Sequence, residues 1–337
     1  MKKLFALVLA LLVAVAPITG CAGNPGQDKY TATFLDVFDT VTTVVGTSQS
    51  QADFQAQAQA IHTGLQEYHR LFDIYNTYDG IANLKTVNDN AGIAPVSVDS
   101  RIIALLRSCK EYYTLSGGKV NVAMGSVLKL WHEARTQGLN DPASARLPDA
   151  QALAQGAQHM DLDCVILDEA ASTVYISDPL VQLDVGAIAK GWAVEQVAAE
   201  ASRGLLISVG GNVCATGPKA PDTPWVIGIE NPDGSTEGYL HTLQITSGSV
   251  VTSGDYQRTY RVDGEDYHHI IDPQTLMPSR YWRSVTVVCP DSGLADALST
   301  ALFLLPLEEG KALAEKCGAQ VLWVNEAGEK FMTPGLE

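Results

Sequence analysis

Two periodicities divide the chain. In QADFQAQAQAIHTGLQEYHRLFDIYN (51–76) apolar residues return every three or four positions, the spacing of a helix packed on a core. A second such run, RIIALLRSCKEYYTL, follows Ser100 as its expected N-cap and stops at Gly117 and Gly118. From Cys164 onward short β-like runs take over, CVILD, STVYIS, LLISVGG, WVIGIEN, LHTLQITSG, YHHIID and SVTVVC, punctuated by Gly, Asp and Pro. Two helical stretches interrupt them: AIAKGWAVEQVAAEASRG after Gly186, and GLADALSTALFLL from Gly293. In the latter, Leu294, Ala297, Leu298, Ala301, Leu302 and Leu305 share the face expected to meet the core. This mixture predicts an α+β fold of mainly antiparallel sheets with packed helices, in one large domain or two.

The first residues follow neither rhythm. Lys2 and Lys3 precede LFALVLALLVAVAPI, and the run closes on TGC, which predicts an export signal over residues 1–20. The run is too short for a membrane span, and Ile18, Thr19, Gly20 and Cys21 resemble a lipobox, with Cys21 as the lipidated residue. AGNPGQDKY then reads as a flexible tether over residues 21–30, which leaves 31–337 to fold. The expected location is the extracytoplasmic face of the cell membrane, held there by lipid.

Charge and cysteines narrow the field. A formal net charge of −16 argues against an electrostatic grip on nucleic acid, so an anionic small ligand would need a local cation or a helix N-terminus. Cys109, Cys164, Cys214, Cys289 and Cys317 are odd in number and lack CxxC spacing, which favours buried thiols over a disulfide framework or a zinc site.

Several positions could carry chemistry. Lys190 falls in the first turn of its helix, where the macrodipole disfavours a cation unless an anion shares the site; a plain surface lysine reads equally well. Asp296 and Thr300 are four apart on one helix and offer two hard oxygens suited to Mg²⁺ or Ca²⁺. The plainer alternative is an Asp favoured at a helix start and a Thr bonding its own i−4 carbonyl. Ser253 with Asp255 could be a simple Ser or Asx turn. If YHHIID is a strand, His268 and His269 point to opposite faces, and only one can serve a given site.

Taken in order, LDVGAIAKGWAVE, LLISVGGNVCATG, WVIGIENPDG, VVTSGDYQRTY, HHIIDPQTLMP and VTVVCPDSGLADALSTALFLL strongly resemble the ApbE family of FAD:protein FMN transferases. LFDIYN, SGGKVNVAMGSVLKLW and FDTVTTVVG extend the resemblance upstream, over nearly all of the chain after the signal. It implies a single catalytic domain that binds FAD as substrate with Mg²⁺ and moves FMN to a Thr or Ser hydroxyl of an acceptor flavoprotein, releasing AMP. The acceptors implied are exported or membrane redox proteins. Carried over by position, the resemblance makes Ala187 (through its carbonyl), Asp296 and Thr300 the metal ligands. Lys190 becomes a phosphate or adenosine contact, while Tyr75, Asn76, Ser253, Asp255 and Ile270 line the flavin site. His269 becomes the base toward the incoming hydroxyl and a cofactor contact, with Asp255 a second catalytic candidate. Gln274 and Leu276 stand where the family usually has Arg and Gly, and Asn212 where Asp is common. Two other functions remain open on the same residues: a metal-dependent FAD pyrophosphatase, and a flavin-binding lipoprotein without catalysis.

Overall fold

The computed structural model describes residues 28–234 and 238–336. The expected signal, Cys21 and most of the expected tether lie outside the described residues. Asp28–Val37 and Thr40–Ser48 form a hairpin whose Thr- and Val-rich sequence buries Ala32, Phe34, Thr42 and Val44. The hairpin opens at Asp28, three residues inside the stretch read as tether, because Tyr30 is buried and stacks on Phe54.

This hairpin starts an eight-stranded sheet. It continues through Leu205–Val209, Asn212–Ala215, Gly248–Gly254, Ser284–Cys289, Gln320–Val324 and Lys330–Met332, and every ladder is antiparallel. Three small antiparallel sheets flank it: Val96–Ser97 with Thr173–Ile176 and Val165–Asp168, Trp225–Ile229 with His241–Ile245, and Tyr260–Val262 with Glu265–Tyr267. The α+β expectation with mainly antiparallel sheets therefore holds.

Helices pack on one side of the large sheet. Gln51–Phe72 is capped by Ser50, whose hydroxyl accepts from the Asp53 amide. Ser100–Leu115 is capped by Asp99 and not by Ser100: the Asp99 carboxylate accepts from the Arg101 amide at 2.9 Å, and Ser100 is already the first helical residue. Ser292–Phe303 is the most enclosed helix, with Ala297, Leu298, Ala301 and Leu302 buried as the periodicity required. Ala295, Asp296 and Ser299 are buried too, since Ala189–Glu200 crosses the opposite flank. Helix Gly125–Asn140 borders the site, whereas Leu307–Cys317 packs against Ser292–Phe303 and Gln320–Val324.

The strand expected at YHHIID ends early. Its ladder stops at Tyr267, because the His268 ring satisfies backbone groups that a further strand pair would have used. Cys109, Cys214 and Cys289 are buried and Cys164 and Cys317 partly so, all as free thiols. No helix among the described residues is long and apolar enough to cross a membrane.

Candidate functional site

A cavity of about 430 Å³ opens where the large sheet meets the helix starts and the 119–135 and 254–271 segments. That volume lies within the usual range for a small-molecule site. Tyr75, Asn76, Ala187, Lys190, Ser253, His269, Ile270, Asp296 and Thr300 all line it. One expected residue does not. Asp255 turns away to the Arg283 guanidinium at 3.0 Å, and its amide donates to the Arg283 carbonyl.

The centre of the site is a helix crossing. Gly191 lies so close to Ser292–Phe303 that a Cβ there would stand 2.4 Å from the Asp296 Cβ. At that distance the Gly191 amide reaches Asp296 Oδ2 at 2.8 Å, with Asn212 Nδ2 at 3.4 Å from the same oxygen. Lys190 Nζ stands 3.9 Å away. Burial pushes the Asp296 carboxyl above the usual carboxylate range, against the pull of Lys190 and these hydrogen bonds.

Two consequences bear on a cation. Both hydrogen bonds land on Oδ2, so Oδ1 of a buried carboxylate takes neither. In a continuing helix the Gly191 amide would return to the Ala187 carbonyl, four residues back; here it goes to Asp296, and the Trp192 amide goes to Ile188. The Ala187 carbonyl is thus left without a backbone donor among the described residues. The plainer readings of Asp296 and Thr300 also fall away. The helix cap is Asp291, which accepts from the Leu294 amide at 2.7 Å, and the side chain bonded to the Asp296 carbonyl is Ser299. A carboxylate oxygen, a carbonyl and a hydroxyl remain, a hard donor set that fits Mg²⁺ better than a soft metal. Among the described residues no three His, Cys, Asp or Glu side chains gather as a metal cluster.

The two histidines differ sharply. His268 is buried; its Nε2–H donates to the Ser279 carbonyl at 2.7 Å while its Nδ1 accepts from the Ile270 amide. Burial pushes it down to about 4, so it stays neutral and structural. His269 Nδ1–H donates to the Gln257 carbonyl at 3.1 Å, which leaves Nε2 as an acceptor. Burial first, then Arg258, His268, Lys190 and Arg135, push it down to about 3.

The flavin-side candidates sit on a capped helix end. Asp73, the C-cap of Gln51–Phe72, accepts from the Tyr75 and Asn76 amides, the Asn76 side chain and the Tyr78 hydroxyl. Burial would raise its pKa, but these donors hold it below the usual range. They shape the segment that presents Tyr75, whose ring lies 5.6 Å from that of His132. Ser253 Oγ shares a 2.8 Å bond with Ser299 Oγ.

Sequence reading missed Asp184, His132, Arg135 and Arg258, which also line the cavity. Asp184 stands in LDVG just before the Lys190 helix; burial raises its carboxyl, against the Gly186 amide, His132 and Arg258. The departures from the family pattern also find partners. Gln274 accepts from Lys119, which itself pairs with Asp272 at 2.9 Å. Leu276 holds φ at +60°, where Gly would sit without strain, and its carbonyl accepts from the Trp131 indole. Asn212 supplies a donor to Asp296, where an Asp would add a second buried carboxylate.

Comparison with known proteins points one way. The ApbE family profile matches residues 38–323. An FAD:protein FMN transferase of Treponema pallidum is 32% identical over 321 residues, covering 90% of this chain and 86% of that one. A protein of the same name from Escherichia coli K12 is 26% identical, covering 96% of this chain and 94% of its own. Among solved structures, the ApbE protein of Thermotoga maritima superposes with a TM-score of 0.80 at 29% identity, covering 91% of this chain and 97% of that one.

Proposed function

The chain belongs to the ApbE family, and from that premise we propose that it is an FAD:protein FMN transferase, moving FMN from FAD to a Ser or Thr hydroxyl of an acceptor flavoprotein and releasing AMP. The observation that carries the reading is the diverted Gly191 amide, which leaves the Ala187 carbonyl and Asp296 Oδ1 available beside Lys190. Ala187, Asp296 and Thr300 would hold Mg²⁺. A divalent cation there supplies charge neutralisation for the pyrophosphate, the main requirement of phosphoryl transfer.

The protein's own groups supply the rest. Lys190 sits in the first turn of Ala189–Glu200, so its ammonium and the helix N-terminus act on the same anion. His269 is oriented by the Gln257 carbonyl with Nε2 free to take the proton of the incoming hydroxyl. The acceptor oxygen bonds to the FMN phosphorus, the P–O bond to AMP breaks, and its electron pair leaves with AMP. A base pushed down to about 3 is poorly matched to neutral pH; burial is the main cause, and a bound pyrophosphate would offset the part added by Arg258, Lys190 and Arg135. Asp255 acts from outside the cavity, by fixing the loop that carries Gln257. The export signal and Cys21 lipidation belong to the same proposal, and set acceptors outside the cytoplasm.

Incubation with FAD, Mg²⁺ and a flavin-acceptor domain tests the function. Covalent flavin fluorescence on the acceptor band supports it. Free FMN with an unlabelled acceptor means hydrolysis instead, and unchanged FAD means binding without catalysis.

A further inference from the structure

Two arginines of the cavity stand outside ion-pair distance of its carboxylates, Asp39, Asp73, Asp184 and Asp296. Arg101, Arg107, Arg261, Arg280 and Arg283 each lie within ion-pair distance of a carboxylate. Arg135 and Arg258 do not among the described residues: Arg135 contacts the His132 ring nitrogen at 3.0 Å, and Arg258 has no charged partner within that range. Arg70, Arg146 and Arg203 also lack one, but only Arg135 and Arg258 line the cavity.

Their placement works against the local physics. Arg258 holds φ at +48°, a left-handed conformation that costs a side-chain residue roughly 1–2 kcal/mol. The loop is fixed just before it, by the Asp255–Arg283 pair and by the Gln257 carbonyl on His269. Arg135 comes from a different element, Gly125–Asn140, yet lies near enough to Arg258 for mutual repulsion; burial and that repulsion together push Arg135 below the ordinary guanidinium range. Arg135 is half-buried and Arg258 exposed, both on the cavity wall with no carboxylate within ion-pair distance among the described residues, so an anion entering the cavity meets two free guanidiniums.

We infer that Arg135 and Arg258 form a two-pronged clamp on the pyrophosphate of the bound dinucleotide, sharing its charge with Lys190. The inference rests on the FMN-transferase reading and adds a binding pair to it. Guanidinium forks match phosphate oxygens bidentately, which a lysine cannot do.

Binding of FAD and of riboflavin, which has no phosphate, tests the clamp through flavin fluorescence. The variants are Arg135→Gln and Arg258→Asn, the latter because Asn tolerates a left-handed backbone. Each should weaken FAD binding by about 10-fold or more, as expected for loss of a charged hydrogen bond, and leave riboflavin binding within two-fold. Equal losses for both flavins, or no loss for either, would overturn the clamp. Calorimetric titration with inorganic pyrophosphate separates this idea from its premise. Arginine-dependent pyrophosphate binding in a protein that ignores flavin keeps the clamp and removes the FAD; pyrophosphate binding unchanged in both variants overturns the clamp itself.

Discussion

At the scale of single residues, His268 has a pH signature of its own. Both of its nitrogens are committed in a way that only the neutral ring allows, and it sits at about 4 in the fold against an ordinary 6.5. As pH falls below 6.5 the unfolded chain takes up the proton first, so this group drains stability down to about pH 4, by roughly 3 kcal/mol in all. Asp184 and Asp296, both raised, act in the opposite sense, so the informative quantity is the difference between variant and wild type. His268→Gln should flatten the loss of denaturant stability between pH 7 and 4 by an amount of that order. An unchanged slope would mean that the ring is not held neutral. His269 should behave differently. Its ring titration, followed by NMR, should move up from about 3 when FAD or pyrophosphate binds, because the anion offsets Arg258, Lys190 and Arg135. A ring that titrates identically with and without the anion would argue against its role as the base.

Among the elements, the crossing of Ala189–Glu200 over Ser292–Phe303 determines whether the site exists. Gly191→Ala would drive a Cβ into the Ser292 carbonyl and Asp296, costing about 1–3 kcal/mol by overpacking and separating the amide from its carboxylate. Thermal melting should register the strain, and transfer should be lost even at temperatures where the variant is folded. Asp291→Ala provides the contrast: it removes the true cap, costs about 1 kcal/mol, and should leave transfer nearly intact. Full activity in Gly191→Ala would remove the crossing from the mechanism.

The same elements show what the sequence could reveal. Asp296 and Thr300 were readable as a pair because helical spacing alone puts i and i+4 together, and the short β-like run SVTVVC marked its strand correctly. The cap position was not readable, since Asp99 or Ser100 could each begin its helix and only backbone geometry decides. YHHIID looked extended because nothing in the letters showed that the His268 side chain would claim the Ile270 amide and the Ser279 carbonyl. Asp255 looked like a site residue for want of any sign of Arg283, and Arg135, Arg258 and Asp184 meet only through long-range packing.

For the molecule as a whole, a formal net charge of −16 contrasts with a cavity into which Lys119, Arg135, Lys190 and Arg258 are gathered beside Asp39, Asp73, Asp184 and Asp296. The resemblance made FAD and the reaction legible in the sequence, because the motifs lie in order along almost the full chain; the gathering of charged side chains around the cavity was not legible there. Attachment is a property of the same scale. Cys21→Ser should release the protein from the membrane fraction or leave it as uncleaved precursor in a bacterial host, while wild-type protein found unlipidated in the medium would contradict the anchor. The central claim, that this cavity transfers FMN through a cation held at Asp296, is tested most directly by following AMP release and acceptor mass together under single-turnover conditions. Wild type with Mg²⁺ should release one AMP for each FMN gained by the acceptor, and Asp296→Asn or chelator treatment should abolish both while the fold is retained. AMP release without acceptor labelling in the wild type, or undiminished labelling by Asp296→Asn, would contradict the account.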